Sequence, residues 1–244
     1  MIQVGAFIFR YRNVLGPVVL VLALVLSHPA YPFGRSDLNT LFDLVGVAVA
    51  LMGQILRGAT IGYQYIIRGG RNRRVYAETL VDTGIFALCR NPLYVGNLLI
   101  AVGFALVVHS YAFYFILLPG VAFAYIAIVA AEEAYLRQKF GQQYEDYMRR
   151  VPRWWPRLSR FPDAVAGFPF NWRRVIVKEY NTTFVLCATL TCLYFWSEYS
   201  VVGSAALPSK VSAAAAAAVW AVLYVAVRAA KKTGYLQDRT ALTT

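Results

Sequence analysis

The chain has 244 residues, 59% of them hydrophobic, and a mean hydropathy of +0.51, a composition that excludes an ordinary water-soluble domain. Its net charge of +12 arises from 24 Lys and Arg against 12 Asp and Glu. Three cysteines without metal-ligand spacing exclude a disulfide framework and a zinc site, and two histidines leave no His-based hydrolytic dyad.

Apolar runs that approach the roughly 20 residues a bilayer crossing needs lie near 13–29, 40–62, 93–109, 111–131, 181–203 and 211–230. The expected fold is all-α: a polytopic membrane bundle of about six transmembrane helices, with a cytoplasmic amphipathic helix. No small-residue cleavage site follows the first run, so it reads as a retained span. The second run carries Arg57 in "GQILRGATIG". A charge within a span costs about 2.5–3.5 kcal/mol at the centre, so Arg57 either snorkels to the headgroups or serves a site. Gly58 and Gly62 beside it form a Gly-x-x-x-Gly pair suited to helix contact. "RGGRNRR" at 68–74 is a basic turn and no phosphate loop.

Next comes "ALCRNPLYVGN" at 87–97, which sets Arg90, Asn91 and Pro92 at the entrance to oil. Pro92 breaks the helix there, and irregular backbone at that depth is tolerated where it lines a cavity. The third and fourth runs, parted by "VHSYA", form a tight hairpin. In "IVAAEEAYLRQKFGQQYEDYMRRVPRWWP" the adjacent Glu132 and Glu133 point about 100° apart on a helix. Ala134, Leu136, Phe140, Tyr144, Tyr147 and Val151 then recur at helical spacing, as an amphipathic helix that Pro152 and Pro156 end. Residues 161–180 read as a connector. The last two runs, with an alanine tract at 213–218, read as packing helices or as a surface for pairing with another subunit, making a homo-oligomer.

Apart from Arg35, Arg57 and Lys210, every Lys and Arg falls at the N-terminus, within 63–92, within 132–180, or from Arg228 onward. Cytoplasmic loops carry that excess. It places both termini and both large loops in the cytosol, for a chain in a bacterial inner membrane or the endoplasmic reticulum. Anionic membrane lipids, not nucleic acid, are the expected partner of this charge.

"LVDTGIFALCRNPLYVGNLL" resembles the Leu-Val-x-x-Gly-x-Tyr-x-x-x-Arg-His-Pro-x-Tyr-x-Gly signature of isoprenylcysteine carboxyl methyltransferases and their phospholipid methyltransferase relatives. The resemblance continues upstream in "ILRGATIG" and downstream in "EEAYLRQKFGQQYEDYMRRVPR", covering roughly 45–156. It implies a methyltransferase core over 1–160, the connector at 161–180 and an appended two-helix segment at 181–244. It also implies S-adenosylmethionine as cofactor and a lipid or isoprenoid acceptor at the cytoplasmic face. The cofactor-binding residues so implied are Glu78, Thr79, Leu80, Val81, Phe86, Asn91, Pro92, Leu93, Tyr94 and Glu132, with no metal. Phe86 replaces the usual Tyr. Asn91 replaces the usual His, keeping a donor and an acceptor but not a titration. A helix beginning after Pro92 aims free N–H groups at the donor's carboxylate.

Ile128 stands where carboxyl methyltransferases carry an Arg, one turn before the first Glu. The acceptor carboxylate therefore falls to Arg57, Arg90 or Arg150. Such an acceptor is already ionised at neutral pH, so it needs alignment and exclusion of water but no general base. The resemblance thus implies O-methylation of a lipid carboxylate. The alternatives are N-methylation of an aminophospholipid, which the apolar Ile128 resembles better, and a non-catalytic scaffold or lipid carrier.

Overall fold

The computed structural model describes residues 1–64, 75–203 and 207–233; the basic turn at 68–74 lies outside them. Backbone groups in hydrocarbon have no water to bond, so apolar runs close their own hydrogen bonds as helices. Among the described residues there is accordingly no strand. The helices are α1 (Ile2–Val25), α2 (Asn39–Tyr63), α3 (Pro92–Val108), α4 (Leu118–Phe140), α5 (Gln142–Arg150), α6 (Phe161–Val165), α7 (Trp172–Val202) and α8 (Leu207–Lys232).

Among the described residues five stretches are long and apolar enough to cross a membrane: Ile2–Val25, Ser36–Tyr63, Phe113–Phe140, Trp172–Val202 and Ala214–Lys232. The sixth expected span is α3, whose 17 residues reach about 25 Å at about 1.5 Å each, a little short of a ~30 Å hydrocarbon core. It packs against α2, α4 and α7, and neighbouring helices cover it. The first helix begins well before the expected run, so Arg10 and Arg12 lie inside it.

Two glycine pairs bring α2 and α3 close together. Gly46 on α2 lies opposite Gly103 on α3, and Gly53 lies opposite Gly96, so that an added Cβ would strike the facing carbonyl oxygen. Small residues at such a seam let two backbones approach. The Gly58–Gly62 pair serves a different contact. Gly58 meets Val175 of α7, and Gly62 meets the Phe170 ring.

The expected single amphipathic helix over 134–151 is two helices. α4 continues straight to Phe140, Gly141 takes φ 52, and α5 departs from there. A glycine holds that positive φ without a Cβ clash. The apolar faces still meet across the break, where Tyr144, Tyr147 and Val151 pack with Leu80, Leu136 and Phe140.

Residues 161–180 hold α6 and the opening turns of α7. The Asn171 side chain caps α7, accepting from the Arg174 N–H at 2.8 Å. Leu186 and Leu190 of α7 join Ala50 and Val107 in one apolar cluster, and Leu193 joins Ala105, Val108 and Phe113 in another. α8 rests on α7, with the Tyr224 ring 4.3 Å from Phe184.

Candidate active site

The segment before α3 is irregular, and a second irregular segment supports it. Beyond α5, the chain from Pro152 to Arg157 runs alongside the turn at 86–91. The Arg90 N–H donates to the Pro152 carbonyl at 2.9 Å, and the Arg157 N–H donates to the Leu88 carbonyl at 3.1 Å. The Asn91 amide donates to the Arg153 carbonyl at 3.1 Å, and the Tyr147 hydroxyl donates to the Phe86 carbonyl at 2.8 Å. Buried backbone groups are satisfied in this way without a helix or a sheet. Burial pushes the Cys89 thiol up to about 11. Burial also raises Tyr144, helped by the Glu133 charge, and raises Tyr147, helped by Tyr144, so both phenols stay protonated.

A cavity of about 580 Å³ opens beside this turn, within the ~300–1,000 Å³ of small-molecule sites. Its outer part is lined by residues 75–81, Phe86, Arg90, Asn91, Pro92, Leu93, Tyr94, Glu132, Glu133, Leu136, Tyr144 and Tyr147. Its inner part is lined by Phe9, Arg12 and Asn13 of α1, Arg57 of α2, Asn97 of α3 and Tyr125 of α4. Tyr125 lies two turns before Glu132 on α4, about 10 Å along the axis. The cavity therefore reaches from the loop layer into the membrane-spanning bundle.

Besides Arg12 and Glu78, its charges fall into three groups. Glu132 Oε1 accepts from the Tyr94 hydroxyl at 2.8 Å. Glu133 faces the other way: its carboxylate takes both Nε and Nη2 of Arg153, and Arg90 Nη1 lies 3.0 Å from its Oε1. That last pair is close but misaligned, and Arg90 Nε and Nη1 are buried without a hydrogen bond. Arg57 does not snorkel. It is 7% exposed, its Nε and Nη2 both donate to Glu179 of α7 at 3.0 Å, and its Nη1 donates to Asn97 Oδ1 at 2.5 Å.

These residues suit a zwitterionic sulfonium donor. Arg90 Nε and Nη1, buried without a hydrogen bond although Nη1 pairs with Glu133, can take a further anion beside that donor. Glu132 offers a carboxylate to an ammonium or a hydroxyl, and Phe86, Leu80 and Leu136 supply apolar walls for a flat ring. Among the described residues no group of three or more His, Cys, Asp or Glu is gathered to hold a metal ion.

The fold brings to one cavity Glu78, Thr79, Leu80, Val81, Phe86, Arg90, Asn91, Pro92, Leu93, Tyr94, Glu132 and Arg57. Arg150 is not among the lining residues. Its guanidinium is exposed, 3.3 Å from Asp82. The expectation of several free N–H groups at the start of α3 is corrected as well. Tyr94 and Val95 both donate to the Asn91 carbonyl and Pro92 has no N–H, so at most the Leu93 N–H is left for a ligand. Sequence reasoning missed Arg12, Asn13, Asn97, Tyr125, Arg153 and Glu179. Asn97 stands one turn after Leu93 and was legible as a polar residue on the same helix face. Nothing local marks Glu179.

The phospholipid methyltransferase family model matches residues 43–143. The cobalt-zinc-cadmium resistance protein CzcN of Cupriavidus metallidurans is 30% identical, over 63% of this chain and 68% of that protein. The nickel-cobalt-cadmium resistance protein NccN of Alcaligenes xylosoxydans xylosoxydans is 31% identical, over 64% of this chain and 70% of its own length. The protein-S-isoprenylcysteine O-methyltransferase B of Arabidopsis thaliana is 31% identical, over 44% of this chain and 55% of that protein. No solved structure matches the chain.

Proposed function

The chain belongs to the isoprenylcysteine carboxyl methyltransferase and phospholipid methyltransferase superfamily of membrane methyltransferases, and on that premise we propose that it methylates the carboxylate of an isoprenoid or other lipid acceptor, with S-adenosylmethionine as donor. The observation that carries the reading is Arg90, whose buried Nε and Nη1 make no hydrogen bond although Nη1 lies 3.0 Å from Glu133, in a cavity that Glu132 borders from a different face of α4. A buried guanidinium with open donors is built to receive an anion.

The bound donor supplies an electrophilic methyl on a sulfonium: a carboxylate oxygen forms the new C–O bond as the C–S bond breaks, and the electron pair stays on sulfur. The protein's part is alignment. Glu132, held by Tyr94, accepts from the donor's ammonium or a ribose hydroxyl. Glu78 to Val81, Phe86 and the Asn91–Pro92–Leu93 turn close round the rest and exclude water. Arg90 and Arg57 direct the acceptor carboxylate. Arg150 stays outside this set. The Lys and Arg distribution supports a cytosolic location for the site.

N-methylation of an aminophospholipid is the second reading, favoured by the family model that matches and by the apolar Ile128. It needs a group to take a proton from the amine, and Glu132 is the carboxylate in place. Incubation of membranes with methyl-labelled donor, followed by mass spectrometry of the lipids, separates the two. The proposed chemistry gives a methyl ester that mild base cleaves to methanol. Label that survives base on an amine overturns it.

A further inference from the structure

Glu179 lies on α7, outside the residues that the family model matches. It is 2% exposed, and it faces an arginine that is 7% exposed toward the end of α2. Stability does not account for such a pair, since replacing a buried ion pair with apolar residues is often neutral or stabilising. Ionisable groups within spans face cavities and serve function. This pair is also fixed from several sides. Gln54 donates to Glu179 Oε2 at 3.1 Å and to Thr183 Oγ1 at 2.9 Å. Gly96 leaves room for the Arg57 stem, where a Cβ would strike its Cγ. Of the five N–H donors on a guanidinium, Glu179 takes one on Nε and one on Nη2, and Asn97 takes one on Nη1. One N–H on each terminal nitrogen remains, on a side chain that lines the inner cavity.

We infer that Glu179 is a positioning residue for the acceptor: it clamps Arg57 so that the guanidinium aligns the acceptor carboxylate without holding it too tightly. The inference rests on the carboxylate reading above. As the acceptor gains its methyl group, an anion becomes a neutral ester, so its charge is already falling at the transition state. An uncompensated buried arginine would bind the ground-state carboxylate more strongly than the transition state, and only interactions stronger in the transition state speed the step. A guanidinium whose charge Glu179 balances still orients the carboxylate through two fixed donors. It also releases the ester without a large loss.

The test uses the full chain in detergent, with S-adenosylmethionine as donor and N-acetyl-S-farnesylcysteine as acceptor. Glu179→Gln keeps the shape and frees the charge. The acceptor KM should fall about tenfold and kcat should fall with it, the signature of a relieved ground state turned into a trap. Without donor, the Kd of the acid should fall about tenfold while that of its methyl ester stays unchanged. Glu179→Asp should move both kinetic constants back toward the parent. If Glu179→Gln does not fold, the Arg57→Gln/Glu179→Gln double variant leaves no unpaired charge. It should raise the acceptor KM about tenfold with donor affinity intact. A Glu179→Gln protein that binds the acid no more tightly than the parent overturns the inference alone, as does a double variant with the parental acceptor KM. A parent that methylates no carboxylate overturns the functional reading and this inference with it.

Discussion

Replacing Glu132 with Gln gives the most direct test of where the donor sits. The amide keeps an oxygen for the Tyr94 hydroxyl, which now donates to Glu132 Oε1 at 2.8 Å, so the helix contact survives and the change is confined to one charge. That charge borders the cavity from α4, and a charge-assisted hydrogen bond there is worth about 1.5–3 kcal/mol. Losing it should raise the Kd for S-adenosylmethionine between about tenfold and about 100-fold. Isothermal titration in detergent measures this directly, and a parallel thermal melt checks that the fold is kept. Tyr94→Phe should give a smaller loss, because the carboxylate remains while its orientation relaxes. Parental affinity in a folded Glu132→Gln protein would refute the assignment of α4 to the donor.

Arg90→Lys keeps the charge but not the planar fork. It should cut turnover or acceptor affinity about tenfold, with donor Kd changed little; the reverse pattern in paired kinetic and binding measurements moves Arg90 to the donor side. Gly53→Ala places a methyl against the Gly96 carbonyl and should destabilise the bundle by about 1–3 kcal/mol, read as a lower Tm, whereas Gly16→Ala, whose Cβ meets nothing, should not. The Cys89 thiol, buried and held up at about 11 from 9.0, should resist maleimide at neutral pH. Because its folded value is the higher one, its contribution to stability is complete below about 9 and is lost as pH rises toward about 11. The difference between parent and Cys89→Ser melts across that window isolates the thiol's share.

Much of the molecule was legible in the residues. Hydrocarbon admits only helices or closed barrels, and apolar runs of this length pointed to an all-α bundle. The Pro92 turn was legible only through the blocks that flank it, since an arginine before a proline by itself also suits the first turn of an ordinary span. The division at Gly141 was less so, since the apolar period runs through the break and only the φ of one residue interrupts it. Arg57 stood out as a charge in a span, but whether it reached to the headgroups or turned inward depended on a partner 122 positions along the chain. No local pattern encodes that partner. Helix periodicity reports which residues share a face on one element, whereas the pairing of Arg57 with Glu179 arises only when α2 and α7 pack side by side. The misaligned contact between Arg90 and Glu133 depends in the same way on how Arg153 competes for the carboxylate. The sequence by itself therefore determined the solvent this chain folds in and the chemistry family it belongs to. Tertiary structure decided which charges are balanced and which remain open, because burial and distance set the strength of an electrostatic interaction and both are properties of the packed bundle.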